Sequence, residues 1–137
     1  MLLSPAKRID ETPVALANYS FPLFQEECLK LVNVLRQFDV EDFESLMKVS
    51  TSIAGLNRNR FQEFSENFTI QNAKPAVLTF DGDAYNGMEN KTLDEKDLAY
   101  LQEHLGILSG LYGFLRPLDL IKAYRLEMGT KLAVQEY

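Results

Sequence analysis

Apolar residues along the 137-residue chain follow two patterns, spacings of three and four in some stretches and short unbroken runs in others. Leu2-Leu3-Ser4 before Pro5 predicts a short strand ending in a turn, and a polar loop follows to about Asn18. Ser20 is then placed to cap a helix with Pro22 in its first turn, and Phe24, Cys28, Leu31 and Leu35 fall on one face. Asp39 predicts the cap of a second helix to about Val49, in which Val40, Phe43 and Met47 repeat the spacing. Ser50 predicts the cap of a third, to about Phe64, so two helices meet across a tight turn. Wound at about 100° per residue, the third helix puts Ile53, Leu56 and Phe64 on one face with Arg60, which is therefore aimed inward or into a cleft, whereas Arg58 points elsewhere.

The second half reads differently. Ala76-Val77-Leu78-Thr79-Phe80 is a continuous apolar run between Pro75 and Asp81-Gly82-Asp83, which predicts a buried strand entering a glycine turn. There Gly82 would supply an unusual backbone angle and Asp83 would cap a short helical turn. Thr92 and Glu95 have capping-box spacing. Leu98, Leu101 and Leu105 give the next helix its buried stripe, and Gly106 is placed to end it. Ile107-Leu108 and Tyr124 to Met128 read as strands. The fold class expected is α/β, a mixed α+β arrangement of a small sheet, flanking helices and a helix-hairpin-helix-like pair. Strands so few and so separated need neighbours to close a sheet. Residues 1–137 are therefore expected to be the N-terminal part of a single domain that continues beyond residue 137.

Composition narrows the chemistry. At 46% hydrophobic and 25% charged the chain is of ordinary globular type. No apolar run approaches the ~20 residues of a spanning helix, and no signal sequence opens the chain, so a cytoplasmic location is expected, with no membrane partner. Cys28 and His104 are the only residues of their kinds, which leaves no disulfide and no His/Cys metal cluster within the chain. Cys28, among Leu29, Leu31 and Val32, reads as a buried thiol. The net charge of −6 opposes coating a polyanion, but acids crowd Asp81 to Glu103 whereas Arg116, Lys122, Arg125 and Lys131 make the following stretch basic. Any phosphate site would be a local basic cleft.

Three segments carry candidate chemistry. Around Phe80 to Gly87 the acids do not match a calcium loop, since Asn86 and Thr92 stand where glycine and glutamate are required. Asp83 and Tyr85 lie just past a strand's carboxyl end, where open α/β sheets place ligands, or else they serve only the turn. In Ser109 to Gly129, Ser109-Gly110 and Tyr112-Gly113 bring backbone amides near any ligand, and Arg116 and Arg125 can each grip a phosphate or carboxylate, with Glu127 as neutraliser. The alternative is that Arg116–Asp119 and Arg125–Glu127 are structural ion pairs. In the helix pair, Ser50, Thr51 and Ser52 offer amides to a phosphate, or the pair is simply an αα-hairpin of the core.

Leu3-Ser4-Pro5-Ala6-Lys7, Phe80-x-Gly82-Asp83-x-Tyr85-x-Gly87, Leu108-Ser109-Gly110-Leu111-Tyr112-Gly113, Leu115-Arg116-Pro117-Leu118-Asp119 and Tyr124-Arg125-Leu126-Glu127-Met128-Gly129 together resemble the YaaA family of peroxide stress proteins. The resemblance runs from Leu2 to about Leu132. It implies a cytoplasmic bacterial protein, induced by hydrogen peroxide, that holds down free iron and so limits oxidative DNA damage. It also implies an unusual α/β fold with a helix-hairpin-helix element beside a positive cleft that binds duplex DNA non-specifically. Lys7, Ser50, Arg60, Arg116 and Arg125 are then the candidate DNA or phosphate contacts, and Gly82, Tyr85, Ser109, Gly110, Tyr112 and Gly113 the candidate ligand turns. A second reading is an enzyme acting on a nucleotide or other phosphorylated small molecule, with Asp83 or Glu127 as acid or base. A third, direct iron binding by Asp81, Asp83 and Glu89, lacks the histidines such sites usually use. No cofactor and no metal site are expected.

Overall fold

A computed structural model describes residues 1–124 of the chain. Apart from one hairpin, strand pairing is long-range. Strand β1 (Leu2–Leu3) runs parallel to β5 (Gly106–Ser109), with Leu2 opposite Gly106, and β5 turns back into antiparallel β6 (Gly113–Leu115), giving the order β1-β5-β6. Strand β2 (Arg8–Ile9) pairs antiparallel with β4 (Phe80–Asp81), and β3 (Lys74–Pro75) with β7 (Leu120–Ile121). The first nine residues are thus held against segments about seventy to a hundred positions away, and helices α1 (Gln25–Leu35), α2 (Val40–Met47) and α3 (Thr51–Glu63) fill the interval. The mixed α/β class expected from the sequence is the class observed, with several small sheets instead of one.

Side chains from all these elements meet in one core: Val32 and Leu35 of α1, Phe43 of α2, Ala54 and Phe61 of α3, and Ile107, Leu115 and Leu120 from the strands. Each large side chain buried there contributes about 1.5–3 kcal/mol. Phe43 stacks on Phe61 at 5.8 Å between ring centroids and so locks α2 to α3. The intervening turn is made by Lys48 in the left-handed conformation (φ 54°), a role that glycine more often takes. Arg36 Nε donates to the Phe61 carbonyl at 3.0 Å, and Nη2 donates to that of Phe64, so a cation closes the open carboxyl end of α3.

Several local expectations are corrected. Helix α1 starts at Gln25 after Phe24, five residues beyond Ser20, because Ser20 is drawn elsewhere: its amide donates to Leu118 O and its carbonyl accepts from Leu120 N. Phe24 is accordingly exposed. The buried face of α3 is Ala54, Asn57 and Phe61, while Ile53 and Leu56 face solvent. The apolar run at 76–80 forms a single helical turn, α4 (Ala76–Thr79), before entering β4. Continuous apolar runs do not distinguish a buried strand from a buried helical turn. Here the Ala76 and Val77 amides find acceptors on Asp119 and Pro117, and Thr79 Oγ1 donates to Pro75 O at 2.8 Å. The capping box of α6 (Glu95–His104) is Asp94 with Asp97, not Thr92 with Glu95, whereas Thr92 Oγ1 closes the preceding 3₁₀ turn (Asn90–Thr92) on Glu89 O. Gly106 follows the C-cap Leu105 of α6, as expected, and opens β5, but the reason for glycine is room: a Cβ there would lie 2.4 Å from the Phe114 ring and 2.9 Å from Leu2. The expected strand at Tyr124 to Met128 lies, from Arg125 on, outside the described residues.

Candidate functional site

Two loops leave the carboxyl ends of β1 and β4 side by side, the position in which open α/β sheets place ligands. Ser4 to Lys7 forms one wall of a groove of about 560 Å³, and Asp81 to Tyr85, leading into α5 (Asp83–Gly87), forms the other. The walls are fastened together. Tyr85, buried, donates its hydroxyl to the Ser4 carbonyl at 2.8 Å, and Gly82 lets the loops touch, since a Cβ at that position would come within 2.9 Å of Ala6 Cβ. Gly82 has extended backbone (φ −161°), so close approach, not an unusual angle, is what requires glycine. It also occupies the N-cap of α5. Asp83 is the first helical residue, makes no side-chain cap and leaves its carboxylate exposed, which corrects its expected capping role.

The rim of the groove carries both signs of charge. Lys7 is exposed on it, and Arg8 lies 3.9 Å from Asp81, an exposed pair of the kind worth little. Burial pushes the Tyr85 phenol well above its usual range, so it stays a neutral hydrogen-bond donor.

The other candidates are placed elsewhere. Ser109 ends β5, and its hydroxyl accepts from the amides of Leu111 (3.2 Å) and Tyr112 (3.0 Å) while meeting Tyr124 OH at 2.5 Å. Those amides are therefore spent within the hairpin. Gly110 is half-buried in the same turn, Gly113 takes a left-handed angle (φ 74°) against Phe24, and Tyr112 is buried with its hydroxyl on Lys122 N at 2.9 Å. The Cys28 thiol, buried beneath this cluster, is pushed up to about 12 by desolvation. Arg116 is held by Asp119, with Nε and Nη2 at 3.1 and 3.0 Å from Oδ1, and Nη2 also donates to Phe21 O. Ser50 caps α3 with its own hydroxyl on Ile53 N. Arg60 reaches Glu11 at 3.4 Å. Among the candidate site residues in the described part of the chain, Lys7, Asp81, Gly82, Asp83 and Tyr85 line the groove. Arg125 and Glu127 lie outside the described residues. No group of three or more His, Cys, Asp or Glu residues is placed to hold a metal among the described residues, Asp81, Asp83 and Glu89 included.

One cluster has no signature in the sequence. Lys74, nearly buried, donates to the Asp10 carbonyl at 3.0 Å and lies 3.5 Å from its carboxylate, which Lys91 also meets at 2.8 Å. The Lys91 ammonium and the Thr12 amide hold the Asp10 carboxyl far below the usual carboxylate range. A native-state pKa below the unfolded value of about 3.9 means that Asp10 stabilises the fold above that pH and loses the contribution as pH falls toward its native value. Asp10→Asn is therefore expected to flatten the fall of the urea midpoint below about pH 4, a difference readable from midpoints at pH 3 and pH 7.

Small sheets, a long-range strand framework and a ligand-sized groove at two strand ends define a mixed α/β protein whose site is built from its first loop and the Gly82 turn. The chain belongs to the peroxide stress protein YaaA family, whose family model matches residues 1–137. It is 53% identical over 134 residues to a UPF0246 protein of Shewanella loihica (97% of this chain, 52% of that protein) and 51% identical over 132 residues to one of Dinoroseobacter shibae (96% and 49%). A UPF0246 protein of Polaromonas sp. is 50% identical over 133 residues. The chain spans about half the length of these curated relatives. Among the described residues, no helix is long and apolar enough to cross a membrane.

Proposed function

We propose that the chain acts in the bacterial response to hydrogen peroxide, limiting free iron and DNA damage in the cytoplasm, and that it binds duplex DNA weakly and without sequence preference along the rim of the groove. Family membership supports the stress role. The observation that carries the DNA reading is the exposed Lys7–Arg8 pair, two adjacent cations where the first loop enters β2 beside a concave surface. Arg60, Arg116 and Ser50 drop out of the footprint because none of them lines the groove. Few phosphates are then met, and a dissociation constant on the order of 10⁻⁴–10⁻⁶ M at physiological salt follows. Iron limitation rests on the family resemblance.

A second reading, an enzyme acting on a nucleotide or other phosphorylated small molecule in the groove, is supported by the exposed carboxylate of Asp83 within that concave surface, placed to serve as its acid or base. Asp83→Asn and Asp83→Ala separate the two. Because Asp83 caps nothing, both should fold with stability changes within about 0.5 kcal/mol. On the DNA reading both bind a short duplex a few-fold more tightly in a fluorescence anisotropy titration, since a charge that repels phosphate is gone. A tenfold loss of duplex affinity in both variants would overturn that reading.

A further inference from the structure

We infer that the Asp10–Lys74–Lys91 cluster, away from the groove, forms the polar end of a binding site for a small carboxylate with an apolar body. A cavity of about 300 Å³ opens beside it, with Thr12 and Asn90 at the polar end and Val14, Leu16, Leu78, Leu93 and Leu98 along the rest of its lining. A smaller cavity of about 140 Å³ is also lined by Asp10 and Lys74.

Charge decides the ligand's polar group. Two ammoniums meet one carboxylate in the cluster. The neighbouring charges cancel in pairs, Arg8 with Asp81 and Arg60 with Glu11, while Lys122, lining the smaller cavity, adds a further cation held by Ser65 O and Oγ. The locality is net positive, in a chain of net charge −6. Lys74 sharpens the point. Its side chain is only 11% exposed and its two acceptors both belong to Asp10, so one of the three ammonium N–H bonds has no acceptor among the described residues. Burial lowers the Lys74 pKa despite Asp10, which marks an ammonium short of compensating negative charge. A ligand carboxylate would supply it, and the aliphatic lining would take the ligand's body out of water.

Octanoate is a suitable probe, with 1-octanol and inorganic phosphate as controls. Titrated into the methyl-labelled chain and followed by NMR, octanoate should bind saturably and shift the methyls of Leu78, Leu93 and Leu98. Octanol should bind about tenfold more weakly or less, and phosphate should not displace octanoate. Lys74→Gln should weaken octanoate at least tenfold, and Lys91→Gln, at an exposed position, several-fold. If Lys74→Gln fails to fold, Lys91→Gln decides alone. Shifts confined to the methyls of Leu23, exposed on the surface away from the cluster, equal binding of octanol, displacement by phosphate, or wild-type affinity in Lys91→Gln would each overturn the assignment.

Discussion

Replacing Asp119 with alanine is expected to lower the unfolding free energy by about 3–5 kcal/mol, a large part of what a domain of this size has. Asp119 is fully buried and its carboxylate gathers four donors: Ser20 Oγ at 2.6 Å, Arg116 N at 2.8 Å, and Arg116 Nε and Nη2. Alanine would strand the half-buried guanidinium with only the Phe21 carbonyl and leave the Ser20 bridge without its side-chain tie. Removing one partner of a buried ion pair costs more than the pair itself is worth, because the remaining charge stays desolvated. Asp119→Asn keeps an acceptor for Ser20 and should retain part of the loss. Urea midpoints for the two variants measure the difference, and an Asp119→Ala midpoint equal to wild type would refute the structural role of Arg116.

The second large effect is expected at Ser109. Its hydroxyl serves the Leu111 and Tyr112 amides and Tyr124 OH at once, so Ser109→Ala leaves three buried polar groups short of a partner. Each such group costs about 1–3 kcal/mol, and relaxation of the hairpin end should bring the total to about 3 kcal/mol. Tyr124→Phe removes one hydrogen bond from the same cluster and should cost about 1 kcal/mol. A smaller loss for Ser109→Ala than for Tyr124→Phe, by urea unfolding, would show that the serine does not organise the turn.

Much of the fold was legible where a residue's neighbours in sequence are also its neighbours in space. Asp39 and Ser50 cap their helices as their spacing predicts, and Cys28, Leu31 and Leu35 share a buried face. The readings that failed are those settled by distant partners. Ser20 has every local quality of a helix cap, yet Leu118, Asp119 and Leu120 claim its polar groups. Gly82 and Gly106 read as residues of unusual angle or helix end, but both are glycines because another loop or ring occupies the place of a Cβ. Ile53 and Leu56 made a plausible apolar stripe, and only the packing of Phe61 on Phe43 shows that α3 is turned the other way. The groove was legible in part. Lys7, Gly82, Asp83 and Tyr85 were singled out from the sequence, but nothing there shows that the first loop and the Gly82 turn face each other. The Asp10–Lys74 contact, sixty-four residues apart, was not legible at all.

The proposal that duplex DNA is held at the groove rim is tested most directly by salt. A titration of a short duplex by anisotropy at several salt concentrations should give a slope of log K against log salt of about −2, from Lys7 and Arg8. Lys7→Ala and Arg8→Ala should each lower its magnitude by about one, and the double variant should bind with almost no salt dependence. A double variant that keeps the wild-type slope, or wild-type binding that ignores salt, would contradict the assignment of the rim as the DNA contact.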